Sequence, residues 1–153
     1  MEKQKLISGV YIKELVRHHD GRGYFEELIR VSDKMFGEGF GQLSHSYMHH
    51  GVIKAWHIHR TQVDWWYAAK GTLHVGLYDK RDNSPTFKKL NQFILGEGGQ
   101  NVVLRIPPGV AHGCKVTSDD AELFYVTSGT YKLEEEGRIP EDDKEIGFDW
   151  GKI

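Results

Sequence analysis

Apolar and polar residues alternate with a period of two over most of this chain. In Thr72-Leu73-His74-Val75-Gly76-Leu77-Tyr78 the apolar positions are 73, 75 and 77, and a strand puts such residues on one face. Val102, Leu104 and Ile106 alternate with Val103 and Arg105 in the same way, which predicts an outward face at 103 and 105. Further β-rich runs cover residues 10–16, 24–30, 41–48, 52–59, 63–69, 110–116 and 121–127. Glycines recur between these runs. One short helical stretch is expected at 32–36, with Ser32 as its cap. The acidic run 134–144 reads as a surface loop. Many short strands with almost no helix predict a single all-β domain spanning 1–153, a jelly roll or a related barrel.

Composition agrees with a packed domain and narrows its partners. The 153 residues include 39% hydrophobic and 12% aromatic side chains, enough to build a core. A net charge of −2 gives no broad basic face for nucleic acid. No apolar run approaches the ~18 residues of a membrane helix. The polar start Met1-Glu2-Lys3-Gln4-Lys5 lacks the apolar segment of a signal peptide. The single cysteine, Cys114, has no intrachain partner, which favours a reducing compartment. A cytoplasmic protein is expected.

The chemistry concentrates in histidines. His57 and His59 are two apart on an expected strand, so both rings point to one face. Asp64 opens the next strand and can reach back across a short turn. The segment Pro107-Pro108-Gly109-Val110-Ala111-His112 brings another histidine out of a tight turn. Three histidines and a carboxylate suit Fe(II), Mn(II), Ni(II) or Zn(II). A hydrogen-bonded polar pocket without an ion uses the same residues. His18, His19, His49 and His50 read as turn or surface residues, and His74 as exterior. Trp56, Trp65 and Trp66 suit either the core or stacking on a ring.

The spacing from Gly51 through His57, His59 and Asp64 to Gly71, followed by the Pro-Gly-His segment, resembles the two motifs of the cupin superfamily. Asp64 stands where that first motif usually has Glu. Seven further segments, in order over nearly the whole chain, resemble the dTDP-4-dehydrorhamnose 3,5-epimerase family. Asp20-Gly21-Arg22-Gly23-Tyr24-Phe25-Glu26-Glu27 is similar to its D-x-R-G-x-F-x-E, and Gln42-Leu43-Ser44-His45-Ser46 to its Q-x-N-x-S. Val52–His57 resembles V-L-R-G-L-H, and Asp79–Phe87 resembles D-x-R-x-x-S-P-T-F. Ile106–Gly113 is similar to I-P-x-G-x-A-H-G, Ala121–Tyr125 to A-E-x-x-Y, and Ile146–Trp150 to I-x-I-x-W.

The resemblance implies a cupin jelly-roll barrel, a homodimer whose N-terminal strands add to the neighbour's sheet, and a nucleotide-linked 4-keto-6-deoxy sugar as substrate. It implies that His57 removes a proton next to the ketone, giving an enolate, and that Tyr125 returns one to the other face. Arg22, Glu27, Gln42, Ser44, Lys54, His112 and Glu136 occupy substrate-contacting positions, with Lys54 and Arg22 suited to the diphosphate and His112 to the keto oxygen. No cofactor is implied.

This chain departs from the family pattern at three places. Lys54 stands for an Arg, which keeps charge and loses the two-pronged fork. Asp64 replaces a Lys and His59 a Gln-like residue, which together complete a cupin ligand set. The family's orienting Asp for the His base lies in a longer C-terminal tail, and this chain stops at Trp150-Gly151-Lys152-Ile153. Besides the epimerase, two readings therefore stand. One is a metal-dependent cupin enzyme, an isomerase or oxygenase, using His57, His59, Asp64 and His112. The other is a non-catalytic carbohydrate-binding cupin.

Overall fold

A computed structural model describes residues 3–153; Met1 and Glu2 of the polar start lie outside the described residues. Two antiparallel sheets face each other. The first has the order β1 (Tyr11–Glu14), β9 (Val102–Ile106), β6 (Asp64–Lys70), β11 (Asp120–Thr127), β4 (Gln42–His49). The second has the order β12 (Glu136–Arg138), β5 (Ile53–His59), β10 (Val110–Val116), β7 (Thr72–Asp79), β8 (Leu90–Gly96). A small hairpin of β2 (His18–Asp20) and β3 (Gly23–Phe25) stands apart. The architecture is a jelly-roll sandwich; among the described residues hydrogen bonds do not close the two sheets into a cylinder.

Period two explains the main core. Leu73, Val75 and Leu77 are fully buried, and Leu104, Ile106, Val110 and Val116 pack with them between the sheets. Burying each such side chain stabilises the fold by about 1.5–3 kcal/mol. The expected outward face of β9 is not outward. Val103 and Arg105 are also buried, because a second apolar group of Phe36 and Trp65 covers that side of the sheet. Arg105 reaches out of this layer to Glu38 and to the carbonyl of Gly9. The short helical stretch is a 3-10 turn, Lys34–Phe36, which delivers Phe36 edge-on to Trp65.

Two other sequence expectations change, and one strand is new. The run 24–30 is strand only to Phe25, and β2 and β3 are exposed along their length. β8 lacks a clean alternation in the sequence, because polar Asn91 is buried in it, accepting from Ile7 N and donating to Lys5 O to hold the N-terminal segment. Finally, 134–144 is not all surface loop: a 3-10 turn, Leu133–Glu135, leads into β12 beside β5. Among the described residues no helix is long and apolar enough to cross a membrane.

The turn after β7 is locked by charge. Asp79 is fully buried. Burial alone would raise its carboxyl, but hydrogen bonds from Arg81, Ser84 and Thr86 outweigh that and hold it at about 2.

Candidate active site

A cleft opens between the two sheets, with wall residues from both. From the second sheet come His57 and His59 on β5, His112 on β10 and Glu136 on β12. From the first come Asp64 on β6, Tyr125 on β11 and Gln42 and Ser46 on β4. His57 lies opposite His112 in the ladder, and their rings stack 6.3 Å apart. Tyr125 lies between Ser44 and Trp66 in its own sheet. The imidazole of His57 and the phenol of Tyr125 thus belong to opposing walls.

Lys54 shares the cleft with His57 although the two are three residues apart, an odd separation for one face of a strand. A bulge resolves this. The β5–β10 register shifts between His112 and Cys114, so Cys114 pairs with Lys54. The ammonium of Lys54 donates to Ser46 Oγ at 2.9 Å, joining the two sheets across the cleft. Gly113 sits opposite the bulge. A Cβ there would meet the Ala55 Cβ at 2.5 Å and the Ala55 Cα at 3.0 Å, so only glycine lets β5 approach. Trp56 turns the other way, into a separate apolar group with Trp150. Trp65 is core, whereas Trp66 lines the cleft with its ring edge-on to His112.

His57 has a carboxylate partner: its Nδ1 lies 3.1 Å from Glu136 Oε1. Arg138, on the same strand, approaches that oxygen at 3.6 Å. Glu135 fixes the approach of β12. It accepts from the Thr61 amide and hydroxyl and from the Gln62 amide, pinning the Leu133–Glu135 turn to the β5–β6 turn. Burial raises the Glu135 carboxyl, but these donors prevail and lower it.

Asp64 and His112 are buried side by side. Asp64 accepts from Gln62 Nε2 at 2.9 Å and from Trp66 Nε1 at 3.2 Å. His112 Nδ1 donates to the carbonyl of Val110 at 3.1 Å, leaving Nε2 turned to Asp64 at 3.8 Å. Burial pushes the His112 imidazole below its ordinary value, against the opposing pull of Asp64. His59 approaches Asp64 from the other side at 3.8 Å. His59, Asp64 and His112 bring one ligand atom each within 4.8 Å of one another. Among the four residues of the cupin set, His57 stands outside this group, with its Nδ1 at Glu136. Cys114 also lines the cleft from below; burial pushes its thiol up to about 12, so it stays protonated.

Two expected substrate residues are elsewhere. Arg22 is exposed and folded back on Asp20. Glu27 pairs with Arg30 beside a different groove. Gln42 does line the cleft and donates to Ser44 Oγ at 2.9 Å, which puts Ser44 on the same face. Sequence reasoning missed Gln62, Glu135, Tyr131 and Lys132, which also line the cleft. They lie in turns and in the acidic segment, where no periodic pattern marks them.

The chain is similar to known proteins along nearly its whole length. A family profile described as dTDP-4-dehydrorhamnose 3,5-epimerase matches residues 4–153. The spore coat polysaccharide biosynthesis protein SpsL of Bacillus subtilis is 41% identical over 148 residues, 95% of this chain and 97% of that protein. A probable low-salt glycan biosynthesis epimerase of Haloferax volcanii is 38% identical over 148 residues, 94% of each chain. Among solved structures, a dTDP sugar isomerase from Desulfovibrio desulfuricans superposes with a TM-score of 0.89 at 30% identity, covering 96% of this chain and 94% of that one.

Proposed function

This chain belongs to the dTDP-4-dehydrorhamnose 3,5-epimerase family, and on that premise we propose that its cleft epimerises a nucleotide-linked 4-keto-6-deoxy sugar. The observation that carries the reading is the placement of His57 and Tyr125 on opposing walls of one cleft. A ketone at C4 acidifies the protons on C3 and C5. His57 takes one of them, and the electron pair of the broken C–H bond moves into the enolate. Tyr125 then gives its hydroxyl proton to the opposite face of the planar carbon, which inverts the centre. Imidazole suits the first step because its ordinary pKa lies near neutrality, and a phenol suits the second as a weak acid. Both half-steps move a proton, so no electron carrier is required.

Glu136 is the positioning residue in this reading. Its carboxylate at 3.1 Å fixes the ring of His57 with Nδ1 protonated, so Nε2 is the free base. The contact also stabilises the imidazolium formed on proton removal. In this reading Glu136, a substrate-contacting position by family resemblance, acts through His57. Lys54 and Gln42 remain on the cleft for the substrate's polar groups.

We take the working unit to be a homodimer. Arg22 and Glu27 lie outside their own cleft on an exposed segment that also carries Tyr24 and Phe25. A second copy would give that hairpin a surface to cover. Light scattering after size exclusion tests this; a monomer under assay conditions would contradict it. A cytoplasmic setting fits the unpaired, buried Cys114.

The experiment is proton NMR of dTDP-4-keto-6-deoxyglucose with the enzyme in deuterated water. Loss of the C3 or C5 proton signal, absent without protein, is expected. A substrate that binds yet shows no exchange at either carbon would overturn the epimerase reading in favour of a carbohydrate-binding role.

A further inference from the structure

We propose that His59, Asp64 and His112 form a divalent transition-metal site beside the proton-transfer pair, with His57 outside the ligand set. The metal and the base then work in one cleft and are not rival uses of the same histidines.

Asp64 is a buried carboxylate. It is 3% exposed, and its two hydrogen-bond donors, the Gln62 amide and the Trp66 indole, are both neutral. A buried carboxylate without a cation is costly. Among the described residues, its neighbours within ion-pair range are His59 and His112 alone. Both stand at 3.8 Å, beyond the ~3.2 Å limit of a good hydrogen bond. The three side chains surround a common space without bonding to one another.

The ligand atoms are presented for a cation. The carbonyl of Val110 can only accept, so His112 Nδ1 carries the hydrogen and the ligand atom is Nε2, facing Asp64. A backbone acceptor on the far nitrogen is the usual way a metal-binding histidine is oriented. The Gln62 and Trp66 donors orient the Asp64 carboxylate in the same manner. His59 turns its Nε2 toward Asp64 at 3.8 Å, and its other ring nitrogen, Nδ1, is buried with no hydrogen-bond partner among the described residues. Two ligands ~2.1 Å from a tetrahedral ion are about 3.4 Å apart. The two imidazole–carboxylate contacts, made to different oxygens of Asp64, therefore need to contract by roughly half an ångström from 3.8 Å, and one ligand atom from each of the three residues already lies within 4.8 Å of the others. Two imidazoles and one carboxylate favour Zn(II), Fe(II), Mn(II) or Co(II) over Mg(II) or Ca(II), and three protein ligands leave coordination positions open to the cleft. A cation there offsets Asp64 next to an anionic substrate and supplies positive charge where an enolate oxygen would develop.

The test uses untagged full-length protein, dialysed against chelator and titrated with Co(II) in the absence of substrate. Visible absorption and metal content are both read. One saturable equivalent per chain is expected. Asp64→Asn and His59→Gln should each weaken Co(II) binding by at least ~10-fold, while circular dichroism reports their folding. His57→Gln should leave the affinity within about 2-fold, because His57 is outside the set. No saturable binding by the wild type would overturn the site, as would binding unchanged in both Asp64→Asn and His59→Gln. Loss of binding in His57→Gln would overturn the three-ligand assignment. Since no sugar is present, these outcomes are independent of whether the epimerase reading holds.

Discussion

Replacing Glu136 by Gln separates a residue that acts through His57 from one that holds substrate. Gln keeps the length and an acceptor oxygen and removes the charge. The contact spans 3.1 Å and the Glu136 side chain is 15% exposed, so it is partly shielded from water. A hydrogen bond to a charged partner contributes about 1.5–3 kcal/mol, and each ~1.4 kcal/mol is tenfold in rate. The lower end applies here because His57 is about a third exposed and Arg138 draws on the same oxygen. The full charge pair exists only once His57 has taken the proton, so the loss should fall on kcat. Glu136→Gln should lower kcat about tenfold with KM changed less than about twofold, and Glu136→Asp should recover part of the loss. Steady-state kinetics and the rate of deuterium uptake from solvent provide the readings. A raised KM with kcat unchanged would refute the argument and return Glu136 to substrate binding.

Other perturbations probe the scaffold and the acid. Asp79, held at about 2 against an unfolded value of 3.8, binds fewer protons folded than unfolded. Its contribution is therefore present above about pH 4 and lost as pH falls toward about 2. The shift amounts to about 2 kcal/mol. Denaturant titrations should show Asp79→Asn less stable than wild type at pH 7 by about that amount, with the gap closing near pH 2; a gap independent of pH would contradict the assignment. Gly113→Ala forces a methyl group against Ala55, two residues before His57. It should cost about 1–3 kcal/mol in stability and lower turnover as well, and unchanged melting and activity would show that β5 can yield. Leu77→Ala, at a fully buried core position, should destabilise by about 2–5 kcal/mol in the same titrations; a smaller loss would mean that the core collapses around the gap.

Much of this architecture is legible in the sequence because its signals are local. Alternation at 73, 75 and 77 gives a strand and its inner face, and the two-residue spacing of His57 and His59 places both rings on the cleft. The tight turn before His112 likewise delivers that ring. What escaped depends on contacts distant in sequence. Glu136 meets His57 across 79 residues, and β12 is only three residues long within an acidic run that otherwise reads as solvated. The inner placement of Lys54 depends on a bulge that no alternation pattern encodes. Val103 and Arg105 are buried against their pattern because a layer formed by Phe36 and Trp65 covers a face that period two alone leaves to solvent. Arg22 and Glu27 carry a strong motif, yet one chain leaves them outside its cleft.

The central claim is a division of labour between opposing walls, with His57 removing the proton and Tyr125 returning it. Its most direct test compares Tyr125→Phe with His57→Ala on a 4-keto-6-deoxy nucleotide sugar in deuterated water, following deuterium at C3 and C5 alongside stereochemical inversion. Tyr125→Phe should still remove the proton and exchange it with solvent while inversion is lost, and folded His57→Ala should do neither. Proton removal that survives in His57→Ala, or is abolished equally in both variants, would contradict the account.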